Sequence, residues 1–295
     1  MRKKLVAMPL IPAQAQRGSS VRADLRYATY ARATWEWWCR RNGAEFVALD
    51  RPLGTGAFSQ MSPSLRRWLA PQMLVDAYGP DTQIAMVDAD TMIRWDAPSP
   101  FDAAGGGFAA VLDTGPRWIH QDIKSYQHLF PDVRLEWWEY VNSGLVVFGA
   151  AQLPTIAALL DLIAGRWPEL RQMHASGRVS VDQTLLNFVL KQQREPVTLL
   201  PPAFNLVRCI TMNSRLWAWE NGPSRDEKSL AAVLEAMPEA FDFVDYAYVW
   251  HFTNVVKSRR IVMEHVWRRV CGHYADAELA PLVGACLRHA DLHRD

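Results

Sequence analysis

The sequence predicts an α/β protein built on a central sheet. Three observations carry this: short apolar runs of strand length recur, helical periodicity separates the early ones, and Gly or Pro punctuates the connections. Lys4 to Ile11 reads as a buried strand. Val21, Leu25, Ala28, Ala31, Trp35 and Trp38 then follow at helical spacing behind Ser19 and Ser20, either of which can cap the helix, and Asn42-Gly43 ends it. Glu45 to Leu49 is a second strand, and a further helix lies between Leu65 and Tyr78, with Pro71 obscuring its start. The stretch "IAMVDADTMIRWD", residues 84–96, opens as a third strand, and Gly105 to Gly107 lead into a fourth, Phe108 to Leu112. This is a βαβαβ beginning. Asp113 to Tyr140 is irregular and rich in tryptophan, after which Val141 to Gly149 returns to strand. Helices are expected over Pro154 to Ala164 and Asp182 to Gln192, with a short strand at Val197 to Leu200. The last third is mixed, with a strand ending in "YVWHF" and helices near Ile261 to Val270 and Asp276 to Leu287.

At 295 residues and 49% hydrophobic content the chain can bury a substantial core, and no repeat or polar linker divides it, so one domain is the simplest organisation. The 32 basic and 31 acidic side chains nearly cancel, which leaves no field to attract nucleic acid or an anionic membrane. The 4 cysteines are scattered, without the spacing of a zinc site or a disulfide framework, and fit a reducing compartment. Arg2, Lys3 and Lys4 before an apolar stretch ending in Ala13-Gln14-Ala15 outline a secretory signal, but Pro9 and Pro12 break that stretch and a first strand explains it equally well. The expected location is cytoplasmic, with the segment from Asp276 to Leu292 able to form an amphipathic cap, a dimer contact or a weak membrane-surface helix. No apolar run reaches the length of a transmembrane helix.

The chemistry concentrates in four short motifs. Residues two apart on a strand share a side, so Asp88 and Asp90 can aim both carboxylates at one point beyond the strand's carboxyl end. A divalent cation between them relieves their repulsion, and hard oxygen ligands select magnesium or manganese. A solvated turn is the plain alternative. His251 ends an apolar run, with Lys257 six residues later and Arg259 and Arg260 beyond it. An imidazole added to two carboxylates suits manganese, and a lysine can neutralise phosphate oxygens on the same ion. Asp182 in "VDQTLLN" reads equally as a helix cap, and Asn142-Ser143-Gly144 as a turn. Trp118, Trp137, Trp138 and Tyr140 offer faces for sugar rings or cover for the core, whereas Trp35, Trp37 and Trp38 read as core.

In combination and order these motifs resemble glycosyltransferase family 8, nucleotide-sugar-dependent enzymes of the type A fold. That family carries a DxD after an apolar strand, an NxG turn, DQ followed by asparagine, and HxxGxxKPW. Here they read Asp88-Ala89-Asp90, Asn142-Ser143-Gly144, Asp182-Gln183 with Asn187, and His251 with Lys257, a match running from about Ser64 to Lys257. The resemblance implies a single-domain, Rossmann-like mixed sheet flanked by helices, with residues 1–260 as the catalytic domain and 261–295 as a helical extension packed on it. It implies Mn²⁺, with Mg²⁺ as the alternative, on Asp88, Asp90 and His251, and Lys257 on the diphosphate. Asn142, Asp182 and Gln183 would line the donor sugar, Asp182 or Gln183 steadying an oxocarbenium-like centre. Asp88 would also reach the ribose, and Arg67, or its neighbour Arg66, would be the basic residue of the helix before the DxD strand. The implied reaction moves a hexose from a UDP-sugar to a hydroxyl acceptor with retention. Asn254 replaces the motif's glycine, Ser258-Arg259 replace Pro-Trp, and Lys4 to Arg17 lacks the family's acidic and aromatic start. Two other readings stand beside it: a haloacid dehalogenase-like phosphatase using the DxDxT-like "DADT", and a nucleotide-sugar-binding protein without turnover.

Overall fold

The computed structural model describes residues 2–10, 25–51, 53–175, 180–207, 227–236, 241–253 and 259–274. Six strands form a mixed sheet: β1 (Lys4–Pro9), β2 (Glu45–Leu49), β3 (Gln83–Val87), β5 (Phe108–Leu112), β6 (Val141–Gly149) and β7 (Val197–Leu199), in the order β2-β1-β3-β6-β5-β7. β1 runs parallel to β3 with Val6 opposite Ala85, and β6 is antiparallel to both β3 and β5, with Val147 opposite Ala85 and Ala109. β5 and β7 are parallel, and a register shift interrupts the β5–β6 ladder between Ala110 and Leu112. Helices flank the sheet, so the expected mixed α/β architecture is what the chain adopts. The central strands read as unbroken apolar runs because both faces are covered: Leu5 to Met8 and Ile84 to Val87 are wholly buried.

Local sequence explains the helix boundaries. α2 (Pro63–Arg66), α3 (Ala70–Tyr78), α4 (Pro100–Ala104), α5 (Pro116–Tyr126) and α6 (Leu153–Gly165) each carry proline in the first turn, where its missing N–H is not needed. Pro71 thus starts a helix and does not bend one. Gly79, at φ +99°, ends α3 with its N–H on the Val75 carbonyl at 2.8 Å. The segment expected to be irregular contains α5, whose inward residues Ile119, Ile123 and Tyr126 keep helical spacing among exposed polar neighbours. α7 (Trp167–Ala175) and α8 (Gln183–Gln192) follow. Ser19, Ser20 and Val21 at the expected helix start, and the expected helix from Asp276 to Leu287, lie outside the described residues.

The chain falls into two units. The first, residues 1–22, 47–87 and 99–201, holds most of the sheet and α2 to α8. Its core joins Leu5, Ile84, Met86, Phe108, Phe148 and Leu186, with Phe130 stacked on Phe188 at 4.5 Å between ring centres. The second, residues 23–46, 88–98 and 202–295, contains α1 (Ala28–Arg41), β4 (Thr91–Ile93), β8 (Val249–His251) and a helix at Arg259–Val270. Here α1 grips the segment that follows β3. Trp35 Nε1 donates to Thr91 Oγ1 at 3.1 Å, Trp38 Nε1 to the Ala97 carbonyl at 2.9 Å, and Ile93 N–H to Thr34 Oγ1 at 3.2 Å. The Tyr274 hydroxyl donates to the Ile93 carbonyl. Among the described residues no helix is long and apolar enough to cross a membrane.

Burial separates the tryptophans into two energetic classes. Trp35 is 0% exposed and Trp138 is 58% exposed. Trp35→Ala should cost about 3–5 kcal/mol in urea denaturation, whereas Trp138→Ala should stay within about 0.5 kcal/mol of the parent. Equal effects would contradict the packing described.

Candidate functional site

The two aspartates converge through a turn, not through strand alternation. β3 ends at Val87, and the chain reverses over Asp88-Ala89-Asp90 before β4, with Thr91 N–H on the Asp88 carbonyl at 3.1 Å. Thr91 Oγ1 donates to the same carbonyl at 2.7 Å while accepting from Trp35, so α1 anchors the turn. The expectation that both carboxylates extend one strand face is corrected accordingly; the turn achieves the same convergence. His251 arrives by a separate pairing: β4 and β8 form a two-stranded antiparallel sheet with Thr91 opposite His251, and Phe252 N–H bonds the Asp90 carbonyl at 2.9 Å.

His251 Nε2 stands 3.3 Å from Asp90 Oδ1 and 3.7 Å from Asp88 Oδ2, and one ligand atom from each residue falls within 4.8 Å of the others. Octahedral ligands about 2.1 Å from a small hard cation stand about 3 Å from one another, so the three side chains lie near enough to be candidate ligands for a divalent ion. Asn205 Oδ1 lies 3.0 Å from His251 Nδ1 and accepts its N–H. Nε2 therefore faces the carboxylates either as an imidazolium N–H or as a lone pair on a cation, the outer-shell arrangement common to metal-binding histidines. Sequence reading missed Asn205, which lies in no motif.

Arg259 is the second unpredicted member. Its Nη2 pairs with Asp90 Oδ2 at 3.0 Å, its Nε donates to the Phe252 carbonyl at 3.2 Å, and its guanidinium lies over the Tyr27 ring at 5.1 Å. It occupies the position of the motif's tryptophan, and the neighbouring "SRR" was its only signal. Burial works against the Asp90 carboxylate, but Arg259 and then His251 outweigh burial and hold its pKa well below the usual carboxylate range. Burial likewise lowers that of His251, but Asp90 and then Asp88 overcome it and raise the imidazole above its ordinary value. Lys257 lies outside the described residues.

A second polar constellation belongs to the sheet-bearing unit. Asp182 occupies the N-cap position of α8 without capping it; instead its Oδ2 accepts from Arg67 Nε at 3.1 Å, Arg67 Nη2 at 2.6 Å and Trp68 Nε1 at 3.0 Å. Arg67 Nη2 also donates to the Ser143 carbonyl at 3.2 Å. Gln183 is held at both ends, with Oε1 accepting from Ser143 N–H at 2.9 Å and Nε2 donating to Asp113 Oδ2 at 3.1 Å. Asn142 Nδ2 donates to that same Asp113 oxygen at 2.7 Å, and its Oδ1 accepts from Gly144 N–H at 2.8 Å; residues 142–144 lie within β6, so the turn expected before that strand is instead its opening residues. Asn187 clamps Val141 by both amide atoms, at 2.7 and 2.8 Å, so the asparagine after DQ fixes the start of β6. Asp113 was missed, although it directly follows an apolar strand just as Asp88 does. Tyr140 is buried, edge-on to Trp118, whereas Trp138 helps line a cavity of about 600 Å³ with Leu135, Asn187, Lys191, Arg194 and Leu199.

No protein-family model matches the chain, and no curated protein does. Solved structures with a likeness to it include a glycosyltransferase involved in glycosylation of the major capsid of PBCV-1, at 14% identity and TM-score 0.48 over 89% of this chain and 98% of that one. Mouse xyloside xylosyltransferase 1 follows at 13% and 0.44 over 85% and 98%. The galactosyltransferase LgtC with donor and acceptor sugar analogues follows at 12% and 0.45 over 94% and 99%. At such identities and TM-scores, function has to be read from this chain's own side chains.

The raised His251 pKa fixes the sign of a pH effect. A folded-state pKa above the unfolded value of about 6.5 adds stability that is complete below that value and lost as pH rises through the folded pKa. In chelator the melting temperature should decline as pH climbs above about 6.5, and His251→Gln should flatten that decline. A divalent cation bound at His251 would compete with the Nε2 proton, so any stabilisation by manganese should grow over the same interval. A manganese effect independent of pH would remove His251 from the ligand set.

Proposed function

We propose that the chain is a metal-dependent glycosyltransferase that moves a sugar, expected to be a hexose, from a nucleoside diphosphate donor, expected to be UDP, to a hydroxyl acceptor. The observation that carries this reading is the meeting of Asp88, Asp90 and His251 within 4.8 Å. The clustered Asn142, Asp182 and Gln183 support it, being polar groups held rigidly at the start of β6 and α8. Their order in the sequence is that of family 8, to which we assign the chain as part of the proposal.

Departure of a nucleoside diphosphate from the sugar concentrates negative charge on its phosphate oxygens. A divalent cation on Asp88, Asp90 and His251 would supply Lewis-acid stabilisation of that charge, Mn²⁺ being preferred and Mg²⁺ the alternative. Lys257, six residues beyond His251, is assigned to the same oxygens. Asp88 is assigned a further contact with the ribose, and Asn142 and Arg67 contacts with the donor. Asp182 carries three hydrogen bonds on Oδ2 and Gln183 is tied at both ends, so neither is free to swing into bonding distance of a sugar carbon. Fixed in this way, they suit stabilisation of positive charge on the sugar, with the acceptor oxygen entering on the face the diphosphate leaves. The sugar–phosphate C–O bond breaks, the acceptor O–C bond forms, and the acceptor proton passes to the diphosphate, which gives retention. Trp138 and its cavity offer an apolar face and hydrogen-bonding rim for an acceptor sugar.

Thermal melting with UDP and GDP, each with and without Mn²⁺, tests this directly. UDP with Mn²⁺ at a hundred times its dissociation constant should add about 2.7 kcal/mol of stability. Asp90→Ala should abolish both that gain and the slow hydrolysis of a UDP-sugar. Parent-level turnover in Asp90→Ala would reject the assignment. Equal UDP stabilisation in chelator would transfer the cationic role to Arg259.

A further inference from the structure

The two oxygens of Asp90 have different partners. Oδ1 stands 3.3 Å from His251 Nε2, on the side of the candidate ligands, whereas Oδ2 is paired with Arg259 Nη2 at 3.0 Å. A carboxylate grips one cation with two bonds only when both oxygens are available, and here the guanidinium holds one of them. That guanidinium is fixed from other directions as well. Its Nε donates to the Phe252 carbonyl at 3.2 Å, its Nη1 approaches the Tyr27 hydroxyl at 3.5 Å, and the Tyr27 ring lies against it at 5.1 Å. Phe252 in turn belongs to the site, since its N–H bonds the Asp90 carbonyl at 2.9 Å. Swinging away from Oδ2 would therefore break several contacts at once, and with only 18% of the side chain exposed, water would replace them poorly.

Divalent cations differ in what they ask of a carboxylate. Calcium gathers about six to eight oxygen ligands in flexible geometry and often takes both oxygens of one carboxylate, whereas magnesium and manganese take about six ligands in octahedral geometry and complete their shells with water. We propose that Arg259 is a selectivity residue of the cation site: by holding Oδ2 it confines Asp90 to one coordinating oxygen and so biases the site toward a magnesium- or manganese-type ion and against calcium. The inference rests on the metal-dependent reading of Asp88, Asp90 and His251, and it gives a role to the arginine that stands where the motif has tryptophan.

The test measures metal binding to the full chain, without turnover. Metal-stripped parent, Arg259→Met and Arg259→Lys are titrated with Mn²⁺, read by loss of the free-ion EPR signal, and Ca²⁺ and Mg²⁺ are then added as competitors. Deleting the guanidinium charge favours all three ions, and because they carry equal charge that gain cancels in the ratio of their affinities. The ratio therefore reports whether Oδ2 is withheld. In Arg259→Met the affinity for Ca²⁺ relative to Mn²⁺ should rise about tenfold over the parent, while that for Mg²⁺ relative to Mn²⁺ stays where it was. Arg259→Lys, which keeps the charge but replaces the planar fork with a flexible point donor, should fall between. An arginine that only compensated the charge of Asp90 would move the three affinities together, so a calcium-to-manganese ratio equal in parent and variants overturns the proposal. Should Arg259→Met fail to fold, the same comparison in Arg259→Lys decides it. A parent that takes up no manganese, with or without UDP, overturns the metal-dependent reading and this inference with it. A parent that binds manganese, with an unaltered calcium ratio in the variants, overturns this inference alone.

Discussion

Placing a second carboxylate beside Asp88 in a buried turn is possible only with cationic neighbours, and the surrounding structure follows from that constraint. Asp90 is 9% exposed, so water cannot stabilise its charge. Arg259 takes one oxygen and His251 faces the other. Both come from the segment around β8, distant in sequence, and reach Asp90 because β8 pairs with β4 in the register that sets His251 opposite Thr91. A one-residue slip in that ladder would turn the imidazole to the other side of the ribbon and leave the carboxylate uncompensated. Strand pairing and charge compensation thus specify each other.

The turn is equally dependent on α1. Thr91 links the Trp35 indole to the Asp88 carbonyl, so the burial that places Trp35 in the core also sets the backbone of the carboxylate pair. Trp38 and Thr34 extend the same grip to Ala97 and Ile93. A helix whose tryptophans read from sequence as core filler is therefore also the support of the site, and packing energy is converted there into positional precision.

Periodicity and turn chemistry made most of the sheet readable, because β1, β3, β5 and β6 are apolar runs between Gly, Pro or Asp. The carboxylate pair was readable for an incorrect geometric reason: alternation along a strand predicted what a reverse turn delivers. Arg259, Asn205 and Asp113 were not readable as site members, since each is a common residue type whose role depends on a partner brought in by tertiary pairing. Asp182 illustrates the same limit. Its position announces a helix cap, yet its carboxylate accepts from Arg67 and Trp68, because a buried arginine gains more from an ionised partner than a helix end gains from a cap.

The two polar clusters also differ in charge balance, and the difference has chemical consequences. The Arg259 guanidinium opposes the charge of Asp90, and the two carboxylates raise the pKa of the His251 imidazole that faces them. On the proposed reading, a divalent cation held by Asp88, Asp90 and His251 in place of a proton on Nε2 would make that cluster more positive. Attraction for an anion would grow with that change, so the proposed order is cation before nucleoside diphosphate. In the sheet-bearing unit Asp182 is matched by Arg67, and Asp113 accepts from the neutral amides of Asn142 and Gln183. The first cluster would thus owe its attraction for anions to a bound metal, whereas the second is held in place by its own hydrogen bonds.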